Sequence, residues 1–278
     1  MNSIILAANG HSGVSAYKSL QKHFENIYLL TDDKNIIVLL RNNDMRIYDF
    51  LDVDVNTVVC AGYMKFISKE LVEKKTFINT HPSLLPKYRG LHSLAWAMLN
   101  FEPILGFSIH IMNEKMDDGP LLHQFYVKYE EQSSKQIMEY FDECIENELG
   151  PIVKGFISGT VIPKAQDSNS ATWVPKRNID DCIIDFNSSI EFIERLFKVL
   201  VHPYPLPIIK VDDVLYEVME ADFKKVNYYT HVGRVVNLEC DAAYIKVSNG
   251  ILIVKELRNL DTKEYCSVIE VLKLGKRL

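Results

Sequence analysis

Residues 77–90 read FINTHPSLLPKYRG, and the rest of the chain is organised around them. Phe77 and Ile78 are apolar and close a short buried strand. Asn79 and His81 follow at a spacing of two, so on extended backbone both side chains leave the same face. Pro82 and Pro86 stop strand and helix alike, so residues 83–85 must bend across whatever the strand end faces. An amide and an imidazole at a strand's C-terminal edge, then a proline-bounded loop with Tyr88, Arg89 and Gly90, mark a site rather than packing.

A second stretch, FSIHIMNEKMDDGP at 107–120, completes it. Phe107 to Ile111 alternates as a strand does, and an acidic turn follows, closed by Gly119-Pro120. Between His81 and Asp117 there is room for the loop, one helix over 91–100 and one strand. A strand–helix–strand crossover would place the two strand ends side by side, so that Asn79, His81 and Asp117 converge.

The two stretches together resemble the signature of the formyltransferases that use N10-formyltetrahydrofolate. The resemblance covers about the first 160 residues and continues through TWVPK at 172–176 and Pro203-Tyr204-Pro205, as in the methionyl-tRNA and sugar-nucleotide branches. It implies a Rossmann-like α/β domain, with a mostly parallel sheet and helices on both faces, plus a small C-terminal β-rich, OB-like domain. It implies Asn79, His81 and Asp117 as the catalytic residues. Tyr63, Met64, Lys65, Phe66 and Ile67 match the folate loop, and His110, Met112 and Met116 join them on the donor side. Gly10, His11, Ser12, Ser83, Tyr88, Arg89 and Gly90 are the candidates for the acceptor side, with Arg89 facing either a phosphate or an acidic neighbour. No metal is implied.

Elsewhere the chain alternates strands and helices. Ser3 to Ala8 is a continuous apolar run and a buried first strand; a Gly-Ser turn then opens a helix with Ser12 as its N-cap, a natural cradle for an anion. Strands are expected near 27–30, 47–48 and 57–60, and a helix from 36. Apolar residues at spacings of three and four make 133–156 the longest helix, opened by a Ser133/Gln136 capping box and kinked or broken at Gly150-Pro151. The polar run 166–170 reads as a linker. A helix follows at 188–201, boxed by Ser188 and Glu191 and stopped by HPYPLP at 202–207. Short strands at 208–210, 214–219, 233–238, 243–247, 251–257 and 268–272 read as a small barrel. The expected domains are 1–165, a linker with its helix at 166–205, and 206–278.

Composition narrows the class. The formal net charge of −6, with 31 Lys and Arg against 37 Asp and Glu, weighs against a general polyanion binder. The five cysteines form no CxxC pair and read as reduced thiols of a cytoplasmic protein. MNSIILAANG at the N-terminus has no signal-peptide pattern, and no run approaches the ~20 apolar residues of a membrane span.

Within the resemblance, the acceptor is expected to be a nucleotide-linked amino sugar, such as a dTDP-linked dideoxy sugar. The tRNA branch carries a basic insertion early in the domain, whereas residues 31–44 here, TDDKNIIVLLRNND, hold more acidic than basic residues. Methionyl-tRNA is the alternative acceptor. A formyltetrahydrofolate deformylase would carry a further domain ahead of the first strand, and a non-catalytic nucleotide-binding module would have no reason to keep Asn79, His81 and Asp117. A homodimer is compatible with the β-rich C-terminal region.

Overall fold

The computed structural model describes residues 2–202 and 204–278; Pro203, part of the expected helix stop, lies outside them. The chain divides into two compact units. The first comprises Met1–Glu130 and Gln136–Lys176, the second Glu131–Lys135 and Arg177–Leu278. The polar run 166–170 thus belongs to the first unit, and the division lies beyond residue 165.

In the first unit the order is β1 (Ser3–Ala8), α1 (Gly10–Leu20), β2 (Asn26–Leu30), α2 (Lys34–Ile37), β3 (Met45–Arg46), β4 (Thr57–Ala61), α3 (Lys69–Lys74) and β5 (Thr76–His81). Then come β6 (Arg89–Gly90), α4 (Ser93–Leu99), β7 (Ile104–Ile111), β8 (Leu121–Lys128), α5 (Ser134–Ile157) and β9 (Trp173–Val174). The main sheet has strand order β3-β2-β1-β4-β5-β7-β8. Strands β1 to β5 are parallel, and their continuous apolar runs suit a sheet covered on both faces. One face carries a cluster that includes Ile5, Val58, Cys60, Ile67 and Phe77. Helix α5 buries Ile137, Phe141, Ile145 and Leu149, with Phe141 5.4 Å from the Phe107 ring of β7.

The expected crossover from β5 is not formed. β7 pairs antiparallel with β5, placing Asn79 opposite His110 and His81 opposite Ser108. Seven residues of α4 rise only about 10 Å, against about 20 Å for the six residues of β5. Phe101, at φ 58, then turns the chain while it is still beside the end where β5 finished. β8, which periodicity did not reveal, extends the sheet antiparallel to β7.

Three further local expectations are corrected. Ser12 does not cap α1: Asn9 occupies the N-cap, and Ser12 Oγ donates to Asp142 Oδ1 of α5 at 2.7 Å. α5 runs unbroken through Pro151. Where the proline disturbs the helix ladder, α1 closes in and Ser19 Oγ accepts the Gly150 N–H at 2.9 Å. α2 lies at Lys34–Ile37, with Asp33 as its cap, and ends before Leu40.

The second unit holds α6 (Ile190–Val199), β10 (Ile208–Val211), β11 (Val214–Lys224), β12 (Val235–Glu239), β13 (Ala242–Val247), β14 (Gly250–Asn259), β15 (Tyr265–Cys266) and α7 (Val268–Val271). Its sheet is antiparallel along β10-β11-β14-β13-β12, with β15 on β14. α6 starts one residue later than expected, because Ser189 rather than Ser188 accepts the Phe192 N–H at 3.2 Å. Residues 268–271 form α7 instead of a strand. The Asp241 carboxylate accepts Ser267 Oγ at 2.9 Å and the Ile269 N–H at 3.2 Å, and this capping outweighs the β-preference of Val and Ile. Among the described residues no helix is long and apolar enough to cross a membrane.

Candidate active site

Parallel sheets of this kind present loops and ligands at the C-terminal ends of their strands. There β5 delivers Asn79, half-buried, and His81, buried, on one face as alternation requires. β7 supplies buried His110 directly opposite Asn79. Because β7 runs antiparallel, its far end at Ile111 lies back beside Ile78. Asp117 therefore reaches the site only because the acidic turn doubles back. Ile111 donates its N–H to Pro120 O at 2.9 Å, and Gly119 sits so close that an added Cβ would lie 1.7 Å from Ile111 O. Gly119→Ala should cost about 1–3 kcal/mol through overpacking and displace the turn, an outcome checked by urea unfolding.

The four polar side chains meet as follows. Asp117 Oδ2 lies 3.6 Å from His81 Nδ1, and Oδ1 lies 3.6 Å from His110 Nε2. The Gly90 N–H donates to Asp117 Oδ2 at 2.9 Å. His81 Nε2 is 2.9 Å from Tyr88 O. A carbonyl only accepts, so the proton of a neutral His81 sits on Nε2 and the Nδ1 lone pair faces the carboxylate side. His110 Nδ1 lies 3.1 Å from Ile111 O and its Nε2 is 3.3 Å from Asn79 Nδ2. His110 thus donates through Nδ1 and accepts one amide hydrogen of Asn79, leaving the second amide hydrogen unused by it.

Burial pushes His81 below its ordinary value, against the opposing pull of the Asp117 charge and the Tyr88 carbonyl. Burial alone would raise Asp117, but His110, His81 and the Gly90 N–H outweigh it and hold the carboxyl down at about 2. The site is therefore poised with a neutral imidazole and a charged carboxylate.

The donor-side expectations divide by depth. Ile67, Tyr63 and Met112 pack on one apolar cluster, with Tyr63 edge-on to Phe50 at 6.0 Å. Lys65 is exposed, as are Met64, Phe66 and Met116, Phe66 by 92 %.

The acceptor-side expectations fare differently. Arg89 is buried: its guanidinium meets Asp118 Oδ1 at 2.5 Å and Gln166 Oε1 at 2.7 Å, and stacks 5.8 Å from the Trp173 ring. Of its two expected partners it takes the acidic neighbour. Ser83 is buried too and donates to Lys87 O at 2.8 Å, so it pins the proline loop. Tyr88 gives its carbonyl to His81 and its hydroxyl to Glu102 at 2.9 Å. Gly90, at φ 112, lies where a Cβ would come within 2.2 Å of Val174 O. At the start of α1 the Gly10 N–H is taken by the Asp33 carboxylate at 2.8 Å, so the expected anion cradle already holds an anion of the chain itself. His11 is exposed.

Sequence reasoning missed Gln166. Its Nε2 donates to Asp117 O at 2.8 Å and to Gly119 O at 2.7 Å. The only local signal was a polar residue in a run of turn formers.

Comparison with known proteins bears on this arrangement. The formyl transferase family model matches residues 39–147, and the model of the formyl transferase C-terminal domain matches 178–271. A methionyl-tRNA formyltransferase of Borreliella burgdorferi (strain ZS7) is 30% identical over 242 residues, covering 83% of this chain and 72% of the relative. Among solved structures, HypX from Aquifex aeolicus in complex with tetrahydrofolic acid aligns with TM-score 0.67 at 17% identity. That match covers 98% of this chain and 47% of HypX, so this chain spans about half of that protein. An N-formyltransferase from Helicobacter canadensis, in complex with folinic acid and dTDP-3-aminofucose, aligns with TM-score 0.66 at 16% identity over 92% of this chain and 99% of that one. The chain belongs to the formyl transferase family. It is an N-formyltransferase, and the family draws its formyl group from a formyl-tetrahydrofolate.

Proposed function

We propose that this enzyme moves the formyl group of N10-formyltetrahydrofolate to the amine of a nucleotide-linked amino sugar, with dTDP-linked dideoxy sugars first among the candidates. The observation that carries the chemistry is the His81 ring. Its Nε2–H is held by a backbone carbonyl, and its Nδ1 lone pair stands beside the Asp117 carboxylate. The acceptor nitrogen attacks the formyl carbon, and negative charge gathers on the formyl oxygen. The second amide hydrogen of Asn79 meets that charge; one such donor contributes about 2.7–4 kcal/mol. His81 Nδ1 takes the proton that the amine sheds, and Asp117 stabilises the imidazolium. The proton passes on to N10 as the C–N10 bond breaks, releasing tetrahydrofolate. Asp117 acts by charge across 3.6 Å, too far for a direct hydrogen bond. It is the Tyr88 carbonyl that orients the ring. Met64, Phe66, Ile67, Met112 and Met116 would wall the donor's ring system.

Support for a sugar over tRNA comes from residues 31–46. Arg41 donates to Asp44 and to the carbonyls of Gln21, Phe24 and Glu25, and Arg46 to Thr31 O and Asp32. Both guanidiniums of this stretch are engaged within the chain instead of facing a phosphate backbone. The similar Helicobacter enzyme was solved in complex with dTDP-3-aminofucose, which supports an acceptor of this kind. The second reading, methionyl-tRNA, is favoured by the similarity to the Borreliella enzyme.

The test supplies N10-formyltetrahydrofolate with a panel of dTDP- and UDP-linked 3-amino and 4-amino sugars and, separately, methionyl-tRNA, followed by mass spectrometry for one added formyl group. One amino sugar is expected to be formylated, with tetrahydrofolate released only when it is present. Formylation of methionyl-tRNA alone, falling steeply with salt, would replace the sugar by the tRNA reading. Tetrahydrofolate release without any amine would make the enzyme a hydrolase.

A further inference from the structure

The segment that reads as a linker is built into the site. Lys164 exchanges two backbone hydrogen bonds with Leu121, at 2.7 and 2.8 Å. Trp173 and Val174 pair with Arg89 and Gly90, and Thr172 binds the proline loop through the Tyr88 N–H, at 2.8 Å to its Oγ1, and the Arg89 N–H, at 2.9 Å to its carbonyl. Between these anchors Gln166 presents its amide to the Asp117 turn. Both hydrogens of Nε2 go to carbonyls of that turn, Asp117 O and Gly119 O. Its Oε1 is held by Arg89 Nη2 at 2.7 Å, so the amide cannot be reversed without setting N–H against N–H.

The turn needs such a grip. Asp117 has φ 51, a left-handed conformation uncommon for residues with a Cβ and open to Asp more than to most, so contacts on the turn help to hold it. The same turn must double back along β7 to bring its carboxylate to His81 and His110.

We propose that Gln166 is a positioning residue for formyl transfer: by donating to the carbonyls of Asp117 and Gly119 it holds the left-handed turn that aims the Asp117 carboxylate at His81 and His110. Arg89 fixes the amide of Gln166 and through Asp118 braces the neighbouring residue. For activity this rests on the roles given above to His81 and Asp117; for geometry it does not.

The test uses Gln166→Met, of similar length but without donors, and Gln166→Glu, which keeps an acceptor for Arg89 while losing both donors. Each variant is expected to lower kcat about 10–100-fold, as a displaced catalytic group does, with KM for donor and acceptor little changed. A second readout is independent of turnover: titration of the His81 ring by NMR in the wild type and Gln166→Met. The titratable groups around that ring are Asp117 and His110, with the Arg89–Asp118 pair beyond. As the carboxylate moves away, the His81 midpoint should move to lower pH by about 0.5 or more. An unchanged kcat in a folded Gln166→Glu protein, or an unchanged His81 midpoint in Gln166→Met, overturns the proposal. If the wild type formylates no amine at all, the functional reading fails, and the His81 titration still decides the role of Gln166.

Discussion

His81→Ala should lower kcat/KM by about 10²–10⁴, the usual contribution of a positioned general base, with the protein still folded. The imidazole of His81 keeps its unprotonated nitrogen, Nδ1, beside the carboxylate at 3.6 Å, whereas the unprotonated Nε2 of His110 accepts from Asn79. Asn79 offers donors, and His110 has both ring nitrogens engaged with Ile111 and Asn79. The pH dependence has a definite sign. In the proposed mechanism the base works as neutral imidazole, and burial lowers the folded pKa of His81 below its ordinary value. The rate should therefore hold as pH falls through 6.5, the value of a free imidazole, and drop only in more acid solution as Nδ1 protonates. The residual rate of His81→Ala should lack this acid limb. The same shift acts on stability: the contribution of His81 is fully present above about 6.5 and is lost as pH falls through the lower folded value. The variant also leaves the Tyr88 carbonyl with only the longer 3.4 Å hydrogen bond from Ser83 Oγ, which costs about 1 kcal/mol. Thermal unfolding at neutral pH measures this separately from turnover. A rate within a few-fold of wild type in a folded His81→Ala protein would remove the imidazole from the chemistry.

What could be read from the sequence follows a physical division. Asn79, His81 and the strand carrying them were legible because the signal is local: an apolar run fixes the strand, alternation fixes the face, and Pro82 fixes its end. The apolar stripe of α5 was legible for the same reason. The direction of β7 was not, because it depends on how far α4 carries the chain before Phe101 turns it, a matter of length and one left-handed residue. Arg89 looked like a partner for a phosphate or an acid, and the choice lies with Asp118. Gln166 was invisible because its partners lie 49 and 47 residues away. A polar residue among turn formers gives no sign that it will hold two distant carbonyls. Ser12 and residues 268–271 fail for a related reason: distant carboxylates, Asp142 and Asp241, decide what the local pattern leaves open. The strand ends of the site were thus readable, and the groups that brace them were not.

Asp117→Asn is expected to be the second most damaging substitution, because it keeps the shape and the acceptor for the Gly90 N–H while removing the charge. When His81 takes a proton, the imidazolium forms 3.6 Å from this carboxylate in a site nearly closed to water, where a charge partner matters most. An amide gives the imidazolium no such partner, so kcat should fall by about 10²–10⁴ with little change in KM. The variant also changes acid stability. Burial works against the ionised form, yet His110, His81 and the Gly90 N–H hold the folded pKa at about 2, against 3.8 for an ordinary aspartate. A depressed carboxylate contributes stability that is fully present above the unfolded value and lost as pH falls through the folded one. For Asp117 the window runs from about 4 to about 2, and the amount is roughly 2 kcal/mol. Wild-type stability to urea should therefore decline across that window, and Asp117→Asn should lack that share of the decline while being less stable at neutral pH. If the variant turns over normally and still shows the wild-type acid decline, the carboxylate is a brace for the turn and the imidazolium has some other partner.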